Sequence, residues 1–245
     1  MTIDGEEDLA ALRRIGKVVA LARDAMLAEA KAGVSTLELD EVGRDVMKAH
    51  KARSAPKLAY KFPGFTCISV NEDLAHGIPS KKRLRDGDLV NIDVSAELDG
   101  YWADTGASTA VGDVSPRVEE LLEVTKKAQL DAMSQARAGK PLNIVGQVVE
   151  KHAKRHGFRI IETLGGHGVG RFIHEDPHVP NHFIRREKKP LWEGLVLTIE
   201  PFLTMSATEV FELDDGWTLR TVDGCLGAQF EHTFVVMNGA PIVLT

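Results

Sequence analysis

The stretch from Asp88 to Gly106, DLVNIDVSAELDGYWADTG, carries two carboxylates whose spacing could serve a metal ion. From Val90 onward polar and apolar residues alternate. Val90, Ile92, Val94 and Ala96 share one face, and Asn91, Asp93 and Ser95 share the other. Asp99-Gly100 signals a two-residue turn of type I′. With that turn, Leu98 faces Tyr101 and Ser95 faces Asp104, so Asp93 and Asp104 become diagonal neighbours on the polar face. Like charges placed that way repel. A divalent cation would compensate, because hard cations favour carboxylate oxygens. Taken alone, the same hairpin reads equally well as a solvated ribbon with two unrelated acids.

A weak internal repeat supplies further acids. Ala30-Lys31-Ala32-Gly33 matches Ala136-Arg137-Ala138-Gly139 at an offset of 106 residues. Asp86-Gly87-Asp88-Leu89-Val90-Asn91-Ile92-Asp93 lines up with Glu193-Gly194-Leu195-Val196-Leu197-Thr198-Ile199-Glu200 at an offset of 107. Two offsets that nearly agree suggest a duplicated unit of helix, helix, strands and acid, with halves of about 7–112 and 113–240 in one domain. The repeat pairs Asp93 with Glu200. Glu231, on the following strand candidate, then stands to Glu200 as Asp104 does to Asp93. Four carboxylates round one spot would each resist ionisation without a metal. Four also leave room for two ions with two acids shared. His167, in Gly165-Gly166-His167-Gly168-Val169-Gly170, offers a nitrogen donor, with glycines on both sides that permit close backbone approach. Alone it reads as a turn histidine, and among four acids as a ligand. His76 and His174 lie in turn-like settings, His76-Gly77-Ile78-Pro79 and His174-Glu175-Asp176-Pro177.

Helices must position these groups. Leu9, Leu12, Ile15, Val19, Ala22, Met26 and Ala30 follow helical steps and predict a helix from about Glu7 to Lys31, stopped by Gly33. Ser35-Thr36-Leu37-Glu38 has capping-box spacing and opens a second, to about Lys51. Ser54 to Ser69 reads as a loop entering a short strand near Cys67 to Val70. Ser115-Pro116 opens a third helix, to about Ala138, and a fourth covers about Asn143 to His156. Leu195 to Leu203 and Gly227 to Met237 are late strand candidates.

The chain of 245 residues is 43% hydrophobic and 27% charged, which is the composition of an ordinary globular protein. A net charge of -6 argues against general DNA or RNA binding. No apolar run is long enough to span a bilayer, and the acidic start lacks the apolar core of a signal peptide. Two cysteines, Cys67 and Cys225, are too few for a disulfide framework, and the expected compartment is the reducing cytoplasm. His50, His152, His156, His178, His182 and His232 have no comparable setting; His232 should point away from Glu231 on its strand. Glu72, Glu97, Glu175 and Asp176 read as solvated or capping residues.

Five motifs carry a resemblance: CISVNEDLAHGIP (Cys67 to Pro79), DGDLVNIDV with Asp104 downstream, GHGVGRFIHEDP (Gly166 to Pro177), TIEP (Thr198 to Pro201) and QFEHT (Gln229 to Thr233). In this order and spacing, over nearly the whole chain, they resemble the type I methionine aminopeptidases of the pita-bread fold. The resemblance implies an α+β fold with pseudo-twofold halves, a curved antiparallel sheet and helices packed on one side. It implies two divalent ions (cobalt, manganese, iron or zinc) held by Asp93, Asp104, His167, Glu200 and Glu231, with Asp104 and Glu231 bridging. That set agrees with the one reached from the hairpin and the repeat.

The implied reaction is removal of the N-terminal methionine from nascent chains and peptides with a small second residue, by metal-activated water attack on the first peptide bond. His174 would hydrogen-bond the scissile carbonyl, His76 would contact the scissile nitrogen, and Glu200 would move the water's proton to the leaving amine. By motif position, Phe62, Cys67 and Trp217 are the candidates for the methionine pocket. Ala59-Tyr60-Lys61-Phe62-Pro63 is a residue shorter than the family's aromatic-glycine-aromatic-proline version, and Ile173 stands where an aromatic residue is common. The family's role also suggests a monomer, and ribosomal contact through basic loops such as Lys81-Lys82-Arg83 and Arg185 to Lys189. Proline-specific relatives use the same ligands but usually carry a large N-terminal domain, and about ninety residues precede Asp93 here. The interval from His174 to Glu200 is too short for the insertion of type II enzymes. A non-enzymatic descendant should have lost a ligand, and all five are present.

Overall fold

The computed structural model describes Met1–Thr245. In the first half, α1 (Glu6–Glu29) and α2 (Thr36–Ala49) precede β1 (Arg53–Ser54), α3 (Ala55–Tyr60), β2 (Cys67–Val70), β3 (Asp73–Ala75), β4 (Leu89–Leu98) and β5 (Tyr101–Ala110). The second half begins with α4 (Pro116–Gln135), α5 (Ile144–His156), β6 (Arg159–Ile160), β7 (Gly165–Gly168) and β8 (Glu175–Pro180). It ends with β9 (Val196–Ile199), β10 (Phe202–Thr204), β11 (Val210–Glu212), β12 (Leu219–Thr221), β13 (Gly227–Val235) and β14 (Ile242–Val243).

Local chemistry accounts for the boundaries that matter. At Ser35 the hydroxyl accepts from the Glu38 amide at 3.2 Å and the Glu38 carboxylate accepts from the Ser35 amide at 2.7 Å, a complete capping box. Asp99 and Gly100 have φ of 53° and 81°, the two positive values that a type I′ turn needs. The register that follows pairs Leu98 with Tyr101 and Ser95 with Asp104.

The strands form one antiparallel sheet of order β1-β4-β5-β13-β9-β7-β8, and β3, β11 and β12 make a small separate flap. The helices pack on one side. Ile15, Val19, Ala22 and Met26 of α1 and Leu39 of α2 bury against Val90, Ile92, Val94 and Ala96 of β4. Val118, Leu121, Val145 and Val149 of α4 and α5 bury against Leu197, Ile199, Ala228 and Phe234. Strand alternation then sends Asn91, Asp93, Ser95, Gln229 and Glu231 to the opposite, polar face. The halves share backbone detail. Ala30 and Ala136, which end α1 and α4, have φ/ψ of -73°/80° and -76°/73°. Gly33 and Gly139 each donate to a carbonyl at 2.8 Å, of Leu84 and Leu191 respectively. No helix is long and apolar enough to cross a membrane.

Several expectations need correction. Ser54 to Ser69 is not all loop: α3 lies within it, its start capped by Ser54 Oγ accepting from Lys57 N, with a proline in the first turn. Leu195 to Leu203 is two strands, interrupted at Glu200-Pro201, where proline has no amide for a ladder. The segments carrying His167 and Glu175 are strands, β7 and β8. Glu97 is buried: it accepts from the Gly100 amide at 2.6 Å and pairs with Arg53.

Candidate metal centre

Asp93 and Asp104 reach the polar face from β4 and β5, at positions opposite Gly106 and Ser95. Burial pushes the Asp93 carboxyl up to about 6, opposed by its hydrogen bond with Asp104. Asp104 is raised well above the ordinary range by burial, then by the charges of Glu231 and Asp93. β13 pairs with β5 and places Glu231 opposite Gly106, which brings the second half's acid to the first half's pair. Glu200 sits in the break between β9 and β10. Burial comes first in raising both glutamates well above their usual values; Asp104 and Asp93 add to it for Glu200, and Glu200 and Asp93 for Glu231. Four carboxyls so placed resist ionisation together and call for a compensating positive charge.

His167 is held from β7. Its amide donates to Thr198 Oγ1 at 3.1 Å, and its Nδ1 lies 2.9 Å from the Gly168 carbonyl. A carbonyl only accepts, so Nδ1 carries the proton and Nε2 offers a lone pair. Nε2 lies 3.6 Å from Glu200 Oε1 and 3.8 Å from Asp104 Oδ2. Burial, then the neighbouring His174, holds this imidazole neutral with a pKa of about 3. The flanking glycines are required by contact: a Cβ on Gly166 would meet the Thr198 carbonyl at 2.3 Å, and one on Gly168 the Asp176 carbonyl at 2.2 Å. One donor atom each from Asp104, His167 and Glu231 lie within 4.8 Å of one another. Glu231 Oε1 is buried without a protein partner.

A cavity of about 310 Å³ opens beside these groups. Its walls include Phe62, Cys67 and Trp217, together with His76, His174, Asp93 and Asp104. Phe62 and Trp217 meet edge to face at 5.2 Å. Burial, with Asp93 and Asp104 nearby, keeps the Cys67 thiol protonated, and both cysteines are free. Tyr60, Pro56 and Ile173 also line this cavity. Tyr60 and Pro56 stand outside the site residues expected from the sequence; the Ser54 cap and the proline of α3 are the local signal that points to them. Tyr60 Oη lies 2.5 Å from His174 Nδ1, and the His174 ring packs against His167 at 4.3 Å between centroids. A second cavity of about 550 Å³ adjoins the first through His76, Asp93, Asp104 and His174 and adds His167 and Glu200. Thus all the site residues expected from the sequence but Glu231 line one of two joined cavities, and Glu231 lies behind them. His232 leaves on the other face, with Nδ1 3.1 Å from Thr245 Oγ1.

The model of metallopeptidase family M24 matches residues 10–238. The chain is 44% identical to methionine aminopeptidase 2 of Bacillus subtilis, with 100% of this chain and 99% of that one covered. It is 43% identical to a methionine aminopeptidase of Staphylococcus epidermidis, covering 100% and 98%. The crystal structure of the Thermotoga maritima methionine aminopeptidase superposes with a TM-score of 0.97 at 32% identity, covering 100% of this chain and 99% of that one. An X-Pro aminopeptidase of the same organism shares the fold alone, at 22% identity and a TM-score of 0.77, with 62% of that chain covered. With its buried Asp, His and Glu donors on the joined polar faces of two similar halves, the chain belongs to metallopeptidase family M24.

Proposed function

We propose that this protein is a divalent-metal-dependent aminopeptidase that removes the N-terminal methionine from peptides and nascent chains whose second residue is small. The observation that carries this reading is an apolar, aromatic-walled cavity opening directly onto a cluster of buried carboxylates and one neutral imidazole. A methionine side chain suits such walls, because its thioether makes favourable contacts with aromatic edges.

The donors fit a metal. Glu231 Oε1 is buried and unpartnered, His167 presents a free nitrogen, and the carboxyls repel one another. In this reading Asp93, Asp104, His167, Glu200 and Glu231 would hold two divalent ions. When bound, the ions would polarise the scissile carbonyl and lower the pKa of the attacking water. His174, at the junction of the two cavities, would donate to the scissile carbonyl oxygen. His76 would contact the scissile nitrogen, and Glu200 would carry the water's proton to the leaving amine. Phe62, Cys67 and Trp217 would grip the methionine. We read the chain as one catalytic domain of two similar halves, acting as a cytoplasmic monomer; the exposed basic loops Lys81 to Arg83 and Arg185 to Lys189 are available for ribosomal contact.

Competing peptides test the substrate. Met-Ala-Ser should release free methionine, while Met-Lys-Ser and Ala-Pro-Ser should not. Cleavage of Ala-Pro-Ser in preference to Met-Ala-Ser would replace this reading with a proline-specific one.

A further inference from the structure

Behind the carboxylates lies a buried relay that the reaction itself does not use. Gln229 N donates to Ser108 Oγ at 2.9 Å, and Ser108 Oγ donates to the Gln229 carbonyl at 3.0 Å. Asn91 Nδ2 lies 3.3 Å from that same carbonyl, 3.2 Å from Ser108 Oγ and 2.8 Å from Gln229 Oε1. Gln229 Nε2 in turn donates to Glu231 Oε2 at 3.2 Å. Asn91, Ser108, Gln229 and Glu231 are 7%, 6%, 1% and 1% exposed, so water offers no ready substitute for these bonds.

The directions of both side-chain amides, Asn91 and Gln229, are forced. A backbone carbonyl can only accept, so the Asn91 atom facing it is the nitrogen. That nitrogen can only donate, so the Gln229 atom facing it is the oxygen. The Gln229 nitrogen is thereby turned onto Glu231. Space is filled as well as charge: a Cβ on Gly106, the residue opposite Glu231, would lie 2.3 Å from Gln229 Oε1. One oxygen of Glu231 is thus held by a fixed donor, and the other is left without a protein partner.

We propose that Gln229, locked by Asn91 and Ser108, is a positioning residue that presents the free oxygen of Glu231 to the metal. The inference rests on the metallopeptidase reading above. Groups that orient a ligand in this way typically change metal affinity by about 10- to 100-fold when removed.

Two variants test it. Gln229→Met keeps the bulk and removes the donor. Asn91→Leu removes the donor that fixes Gln229 Oε1, so the amide is no longer held with its nitrogen on Glu231. Cobalt(II) is titrated into chelator-stripped full-length protein and followed by its visible d–d absorption, with the melting temperature of the metal-free protein as the folding control. Each folded variant should bind cobalt about 10- to 100-fold more weakly than the wild type, with an altered absorption envelope. A folded variant with affinity within about twofold of wild type and an unchanged spectrum would overturn the positioning role while leaving the metallopeptidase reading intact. If one variant does not fold, the other decides. A folded wild type that takes up no cobalt would overturn the metal reading, and this inference with it.

Discussion

Glu231 on β13 stands directly opposite Gly106 on β5, at the seam where strands from the two halves pair. The acid needs that neighbour to be bare, because the Gln229 amide occupies the space a side chain would fill. Gly106→Ala should therefore force the amide or the strands apart. Thermal or urea unfolding should show a loss of about 1–3 kcal/mol, the usual cost of overpacking a filled interior. Metal affinity should fall with it; an alanine variant with unchanged stability and metal uptake would contradict this packing.

The stability of the metal-free protein should depend on pH in a particular direction. The folded pKa of Asp93 is raised from 3.8 to about 6, and those of Asp104, Glu200 and Glu231 are raised well above their ordinary values. A carboxyl raised on folding binds more protons in the native state, so its contribution is full below the unfolded pKa and is lost as pH rises through the folded one. Melting of the chelator-stripped protein should accordingly occur at a lower temperature at pH 7.5 than at pH 5. Manganese or cobalt should restore more of the loss at pH 7.5, since metal binding requires deprotonated donors. A stripped protein that is most stable above pH 7 would show that the acids do not crowd one another as described.

Phe62 is 2% exposed and contributes a wall of the smaller cavity against Trp217. Phe62→Ala should raise the KM for Met-Ala-Ser by roughly 10-fold or more, in line with about 1–3 kcal/mol for a pocket that loses apolar contact. Metal uptake should stay as in the wild type. Steady-state kinetics with an unchanged KM would place the methionine side chain elsewhere.

Tyr60 bears on His174 through its hydroxyl. With the phenol as donor to Nδ1, the His174 proton sits on Nε2, the form able to donate to a carbonyl. Tyr60→Phe should lower kcat by roughly 10-fold with little change in KM, because a donor that strengthens in the transition state is misoriented. A change confined to KM would instead make Tyr60 a wall of the pocket and nothing more.

The parts of this fold that were legible in the sequence are those fixed by local chemistry. Asp99-Gly100 sets the hairpin register by its backbone alone, and Ser35 with Glu38 marks a helix start through its own hydrogen bonds. The internal repeat by itself puts Glu200, and with it Glu231, in the same set as the hairpin acids. What was not legible depends on contacts distant in sequence. β7 is rich in glycine and has weak strand propensity; it is ordered by pairing with β8 and β9. Tyr60 meets His174 across 114 residues. Gln229 gains its meaning only when Asn91, Gly106 and Glu231 converge on it.

If both halves of the chain build one metal centre on which peptide hydrolysis depends, removing the metal must abolish that hydrolysis. The most direct measurement strips the protein with a chelator, verifies its fold, and follows methionine release from Met-Ala-Ser as manganese or cobalt is returned in measured equivalents. No release is expected from the stripped protein, with recovery that saturates by two equivalents per chain. Undiminished release from protein shown to be metal-free, or no release with any divalent metal from protein shown to be folded, would contradict it.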